Sequence, residues 1–270
     1  MSASSGPSAP DIAGRTILAV FAHPDDESLA CGGTLARLAD AGARVVLICA
    51  SRGEKGRVSD PALVATHDLA SVRSEELREA AHVLGISEVL LLDHPDGDLR
   101  WADVPAFHVE IVLAIQRYTP DTVITFGEDG LYWHLDHIGV HERTYTAVRS
   151  FGPYAPPLYY VTMKQGVMTD LVRTAIANGL TLRTHPFDID PDTFGEHAKP
   201  PTLLVDVHDW VPRKLAALRC HQTQIGQDSP FRHVSDDQAR RLLGVEQFRR
   251  SPLEAGWDSV IEQFGQQVAR

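Results

Sequence analysis

Two short stretches of this chain concentrate side chains that hold cations and move protons. "FAHPDDESLACGG" (21–33) places His23, Asp25, Asp26 and Glu27 within five positions, directly after the apolar run "TILAV". "YWHLDH" (132–137) places Tyr132, His134, Asp136 and His137 shortly after a second apolar run, "DTVITFG". In a doubly wound fold the first strand-to-helix turn often cradles a phosphate, a task for glycines and a helix N-terminus free of negative charge. The acidic turn found here repels a phosphate and attracts a cation. Two imidazoles and one carboxylate suit a borderline divalent metal, most often zinc, and a hydrolytic site keeps a fourth position for water. The spacing allows His23 and Asp26 from the first stretch and His137 from the second. Asp25, His134, Asp136 and Tyr132 are then left for proton work, because a metal lowers the pKa of water to about 7, within reach of a carboxylate base.

The elements that must position these residues follow from periodicity. Short apolar runs at 16–22, 44–50, 88–93 and 121–127 read as buried parallel strands, and segments of helical period lie between them at 28–40, 68–84, 103–118 and 137–149. That alternation predicts an α/β fold: a Rossmann-like, mostly parallel sheet with helices on both faces. Ligands of such sheets bind at the carboxyl ends of the strands, so the loops carrying His23, "SRGEKGR" (51–57), "DHPDGD" (93–98) and His137 open on one edge. Further strands are expected at 158–163 and 202–207, and helices near 168–178, 209–222, 236–243 and 253–268. Residues 1–13 read as a disordered Ser/Pro/Gly/Ala-rich tail. Residues 14–270 read as one domain, with a core at 15–165 and a C-terminal extension at 166–270.

"AHPDDE", followed some hundred residues later by "YWHLDH", resembles the PIG-L/LmbE-like zinc-dependent de-N-acetylases, which act on N-acetylglucosaminyl conjugates. "VRSEELREAAHVLG" (72–85), "DHPDGDL" (93–99) and "KLAALRCHQTQ" (214–224) are similar to further segments of that family, so the resemblance spans about residues 15–225. It implies one zinc ion per chain, held by His23, Asp26 and His137. Asp25 is then the general base, and His134 stabilises the oxyanion or protonates the leaving amine. Asp136 orients a ring, and Tyr132 helps polarise the amide carbonyl. Arg73 and Asp96 contact the substrate. Leu135 departs from the family's usual proline, a change in loop stiffness rather than in chemistry.

Other features narrow the function. The net charge of −11 disfavours nucleic acid or an anionic membrane as the main partner. No apolar stretch approaches a membrane span. Three cysteines without close spacing argue for reduced thiols in the cytoplasm. The expected partner is a small N-acetylated amino sugar, with homo-oligomerisation left open. Rival readings are an amidase for a larger acyl group, a nucleotide-binding Rossmann protein and a non-catalytic metal-binding module. His141, one helical turn after His137, is read as lying outside the ligand set, and Cys31 as a small buried residue. His94 is either a pocket residue or part of an ordinary turn. His221 is either a site residue or a helix-surface histidine. The 51–60 loop is either a lid or a solvated turn.

Overall fold

The computed structural model describes residues 10, 12–65, 67–101, 103–181 and 189–268. Strands β1 (Thr16–Phe21), β2 (Arg44–Cys49), β3 (Glu88–Leu91), β4 (Thr122–Phe126) and β5 (Leu158–Thr162) pair in parallel. Their near-continuous apolar runs are what a sheet covered on both faces requires; in β1 every residue from Ile17 to Phe21 is fully buried. On one face α1 (Asp26–Asp40), α2 (Leu69–Leu84) and α7 (Val211–Cys220) pack together, and on the other α3 (Val104–Tyr118) packs on α5 (Leu135–Arg149). The strand order is β3-β2-β1-β4-β5-β7-β6-β8. The chain therefore reverses direction across the sheet between β1 and β4, the switch point where such folds bind ligands.

The C-terminal part extends the same sheet. β6 (Leu203–Asp206) and β7 (Val245–Arg250) are antiparallel to each other, β7 lies antiparallel against β5, and β8 (Gly265–Gln267) lies against β6. Helices α6 (Val167–Ala177) and α8 (Asp236–Leu243) complete this region. Two expectations are corrected. Residues 253–268 form a 3-10 turn at Ile261–Phe264 and strand β8 rather than a helix, and β7 was not anticipated. Residues 1–9 and 11 of the expected tail lie outside the described residues, but Ile12 is buried and its N–H donates to Ala41 O at 3.1 Å.

Helix α1 breaks at Cys31 (φ −149°) and restarts. The break leaves the amides of Gly33 and Thr34 without helical acceptors, and the Glu246 carboxylate of β7 accepts both, at 3.0 and 2.7 Å. Lys214 of α7 donates to the same carboxylate at 2.6 Å, and both side chains are buried. Gly33 is required for the approach, because a Cβ there would lie 2.8 Å from Val207. Glu246→Ala leaves a buried ammonium unpaired and two amides unsatisfied, so urea denaturation is expected to show a loss of about 3–5 kcal/mol. A loss below about 1 kcal/mol, the level of an exposed pair, would show that the carboxylate is dispensable.

Candidate active site

The ends of β1 and β4 lie side by side, and the two histidine-bearing stretches follow them. His23 comes two residues after β1, and Asp26 opens α1. After β4 the chain makes the short α4 (Gly130–Trp133) and turns into α5, whose first turn carries His137. This turn is strained: Leu131 and Trp133 adopt φ 67° and 64°, a region bulky residues avoid. Gly130, at φ 56°, lets the turn close, since a Cβ there would lie 3.0 Å from the Cβ of His137. Leu135 occupies the first position of α5, where proline would be preorganised.

His23, Asp26 and His137 converge. His137 Nε2 lies 3.2 Å from Asp26 Oδ1 and 3.4 Å from His23 Nδ1, and His23 Nδ1 lies 3.5 Å from Asp26 Oδ2. A tetrahedral ion with bonds of ~2.1 Å sets its ligand atoms about 3.4 Å apart; the two ring nitrogens have that spacing, and the Asp26 carboxylate spans the pair, Oδ1 facing His137 and Oδ2 facing His23. The opposite ring nitrogens agree. His137 Nδ1 is 3.1 Å from Gly130 O, which can only accept, so the proton sits on Nδ1 and Nε2 keeps its lone pair. His23 Nε2 faces Asp136 Oδ2 at 3.0 Å and Asp96 Oδ1 at 3.2 Å, which frees Nδ1 in the same way. Carboxylates and carbonyls commonly fix metal-binding imidazoles like this.

The charge around this cluster is negative. Burial lowers the His23 pKa, but Asp136, Asp26 and Asp96 together raise it well above the ordinary value. A site that draws a proton this strongly draws a cation too, and the two compete for the same nitrogen. Burial pushes Asp26 up, yet His137 and His23 hold it well below the usual carboxylate range. Asp96 is held at about 2, the His23 hydrogen bond overcoming burial. His134 also brings a ring nitrogen to within 4.8 Å of those of His23 and His137. Its Nδ1, however, accepts the Asp136 amide at 3.2 Å and caps α5. Its neutral ring therefore carries the proton on Nε2. Burial and the charges of His137 and His23 lower its pKa to about 4.

Asp25 stands beside the cluster in a strained conformation, φ 119°. Its Oδ2 accepts from Arg73 Nη2 at 3.2 Å. Burial raises its carboxyl to about 7, with Asp26 and Glu27 adding to the rise and Arg73 and His221 opposing it. Arg73 is 3% exposed and also donates to Pro24 O and Gly53 O, so it ties α2 to the metal loop and to the 51–57 loop. Asp96 is likewise engaged inside the protein, accepting the Lys55 amide at 2.8 Å. Asp136 is fully buried and accepts the amides of Gly97 and Leu99 while orienting the ring of His23. A cavity of about 300 Å³ opens above these groups. His23, Asp25, Asp26, Arg73, Asp96, Tyr132 and His134 line it, with Lys55, Gly56 and Arg57 of the 51–57 loop.

Other histidines resolve as follows. His141 Nδ1 pairs with Phe126 O, away from the cluster. His94 pairs with Glu110 of α3 and packs on Phe107, outside the cavity lining. His221 is fully buried against Glu27 rather than on a helix surface. Cys31 is buried as expected. Sequence reasoning missed the Glu27–His221 contact, although both residues lie in the segments that carry the family resemblance.

Fold and site together define a Rossmann-like α/β protein with a buried cluster of histidines and carboxylates, able to hold a metal ion, at the ends of β1 and β4. The family described as "PIG-L: GlcNAc-PI de-N-acetylase" matches residues 18–148. A 1D-myo-inositol 2-acetamido-2-deoxy-alpha-D-glucopyranoside deacetylase from Acidothermus cellulolyticus is 32% identical over 257 residues, covering 87% of this chain and 88% of that protein. The chain belongs to the PIG-L family. Among solved structures, the N,N'-diacetylchitobiose deacetylase of Pyrococcus horikoshii is similar with a TM-score of 0.62 at 21% identity, over 88% of this chain and 84% of that one. The 4-carboxy-2-hydroxymuconate hydratase of Pseudomonas putida is similar with a TM-score of 0.61 at 20% identity, over 87% and 95%. At such identities the likeness is one of fold, and one fold hosts more than one reaction.

Proposed function

We propose that this protein is a zinc-dependent hydrolase that removes the N-acetyl group from an N-acetylglucosaminyl small molecule, with one metal ion per chain. The observation that carries the reading is the convergence of His23 Nδ1, Asp26 and His137 Nε2 at 3.2–3.5 Å, with Asp25 alongside. The likeness, over 87% of the chain, to a 1D-myo-inositol 2-acetamido-2-deoxy-alpha-D-glucopyranoside deacetylase supports that substrate class. Three free cysteines, and the lack of any membrane-spanning helix among the described residues, support action in the cytoplasm.

When bound, the metal lowers the pKa of water and polarises the amide carbonyl. Asp25 takes the proton of the attacking water, held in aim by Arg73. The neutral His134 ring donates from Nε2 to the developing oxyanion, and burial keeps the Tyr132 phenol protonated as a second donor. Because His134 has only that one proton to offer, delivery to the departing nitrogen falls to Asp25, which has just gained one. Asp136 and Asp96 orient the His23 ring, and Arg73, which also lines the cavity, holds the Asp25 carboxylate.

Acetate release should be measured on N-acetylglucosaminyl-inositol, N-acetylglucosamine and diacetylchitobiose, with analogues bearing longer acyl chains. Release from one or more acetylated sugars, abolished by chelation, is expected. Release from none, or only from a long-chain amide, overturns the reading. His134→Ala should lower kcat and kcat/KM together by about 10²–10³-fold, the effect of losing one oxyanion donor, with metal content unchanged. Tyr132→Phe should cost less. A His134→Ala enzyme with full kcat, or without metal, would remove His134 from this role.

A further inference from the structure

Glu27 takes no part in the steps above, yet it is 1% exposed and fully engaged. Its Oε2 accepts the backbone N–H of Asp25 at 3.1 Å, and its Oε1 accepts the Ser28 hydroxyl at 2.5 Å. The same Oε1 lies 2.8 Å from Nε2 of His221, which ends α7 on the neighbouring helix. His221 is fully buried, and its Nδ1 has no hydrogen-bond partner among the described residues. A buried imidazole with one idle nitrogen is a poor way to fill space.

The geometry points to Glu27 and His221 as a positioning pair that fixes Asp25 from behind, which rests on the reading of Asp25 as the base. A residue at φ 119° persists only where its surroundings impose the conformation. Arg73 grips the Asp25 carboxylate and Glu27 grips its amide, so together they set the rotation of the residue about its own backbone. Glu27 is itself an acid buried one residue from Asp26 and two from Asp25. Left alone, it would repel both. His221 Nε2, 2.8 Å from Glu27 Oε1, holds that carboxylate against α7, and the imidazole acts on Asp25 only through it. The hydrogen-bond partners of Glu27 are Asp25, Ser28 and His221, not the side chains of His23, Asp26 or His137.

The test uses metal-loaded His221→Ala, His221→Gln and Glu27→Gln proteins. His221→Ala is expected to keep one metal per chain and an unchanged KM while kcat falls about 10–100-fold, the scale of a small misplacement of a reacting group. Added imidazole should recover part of kcat without changing KM. His221→Gln, which retains an N–H donor for Glu27, should lose less. Unchanged kcat in a folded His221→Ala protein overturns the pair, as does loss of metal in parallel with activity. Should His221→Ala not fold, Glu27→Gln carries the test, with a fall in kcat at constant KM and metal content expected and unchanged kcat overturning it. If the wild type deacetylates nothing, the functional reading fails. The pair is then judged by a crystal structure of His221→Ala: an Asp25 carboxylate displaced from Arg73 supports it, and one still seated on Arg73 overturns it.

Discussion

Asp25→Asn is expected to bind one metal ion per chain and to turn over about 10²–10⁴-fold more slowly, the share of a general acid–base group. The amide is nearly isosteric. Its oxygen can still accept from Arg73 Nη2, and the Asp25 N–H to Glu27 bond is made by the backbone. The fold therefore has no reason to change. What disappears is the ability to take a proton from water, which no neighbouring group can replace: Asp26 faces His137 and His23, and Glu27 faces Ser28 and His221. Elemental analysis and steady-state kinetics on one preparation decide the matter. An Asp25→Asn protein that has lost its metal would exchange the roles of Asp25 and Asp26.

His137→Ala and His23→Ala are expected to lose both metal and turnover. His137 is fully buried, stacked against Phe126 with ring centroids 4.0 Å apart, so the ring has one position and one outward nitrogen. Removing either imidazole leaves two of three ligand atoms, and a hydrolytic site of this type needs all three. Chelation of the wild-type protein should reproduce the effect and lower its melting temperature, because a metal that binds only the folded state stabilises it. Restoring zinc should rescue the wild type and neither variant. Wild-type metal content in both variants would dismiss the site.

Much of this arrangement was legible because buried parallel strands advertise themselves. "TILAV", "VVLIC" and "TVITF" are apolar on both faces, so strand assignment needed no alternation to detect. The residues after them had to meet at one edge, and His23, Asp26 and His137 do lie together there. β7 was hidden for the opposite reason. Its sequence "VEQFRR" carries one large apolar residue between charges, and its Glu246 is buried because of what it caps rather than what it is. Where a helix was expected at 253–268, the chain makes a 3-10 turn at Ile261–Phe264 and the edge strand β8, and Val260, Ile261 and Phe264 are buried in the core. Arg73 and Asp96 were recognised as site residues, but their hydrogen bonds run inward to Gly53, Pro24, the Lys55 amide and His23. A motif names the residue type and leaves the direction of the side chain to tertiary structure. His221 illustrates this most plainly, because nothing local to "RCHQTQ" says that its partner lies 194 positions earlier.

The restart of α1 on Glu246 bears on how the protein is made. Every residue of the proposed ligand cluster has been synthesised by position 137, but the amides of Gly33 and Thr34 wait for an acceptor 213 and 212 positions further on. Closing so long a loop costs entropy before any contact rewards it. The order of translation and the order of folding therefore diverge. The growing chain is expected to carry the acidic turn on a helix whose restart has no acceptor until Glu246 has been made and β7 has joined the sheet. A truncated product that ends before β7 is expected to contain all the proposed ligands and yet leave the restart of α1 without its acceptor.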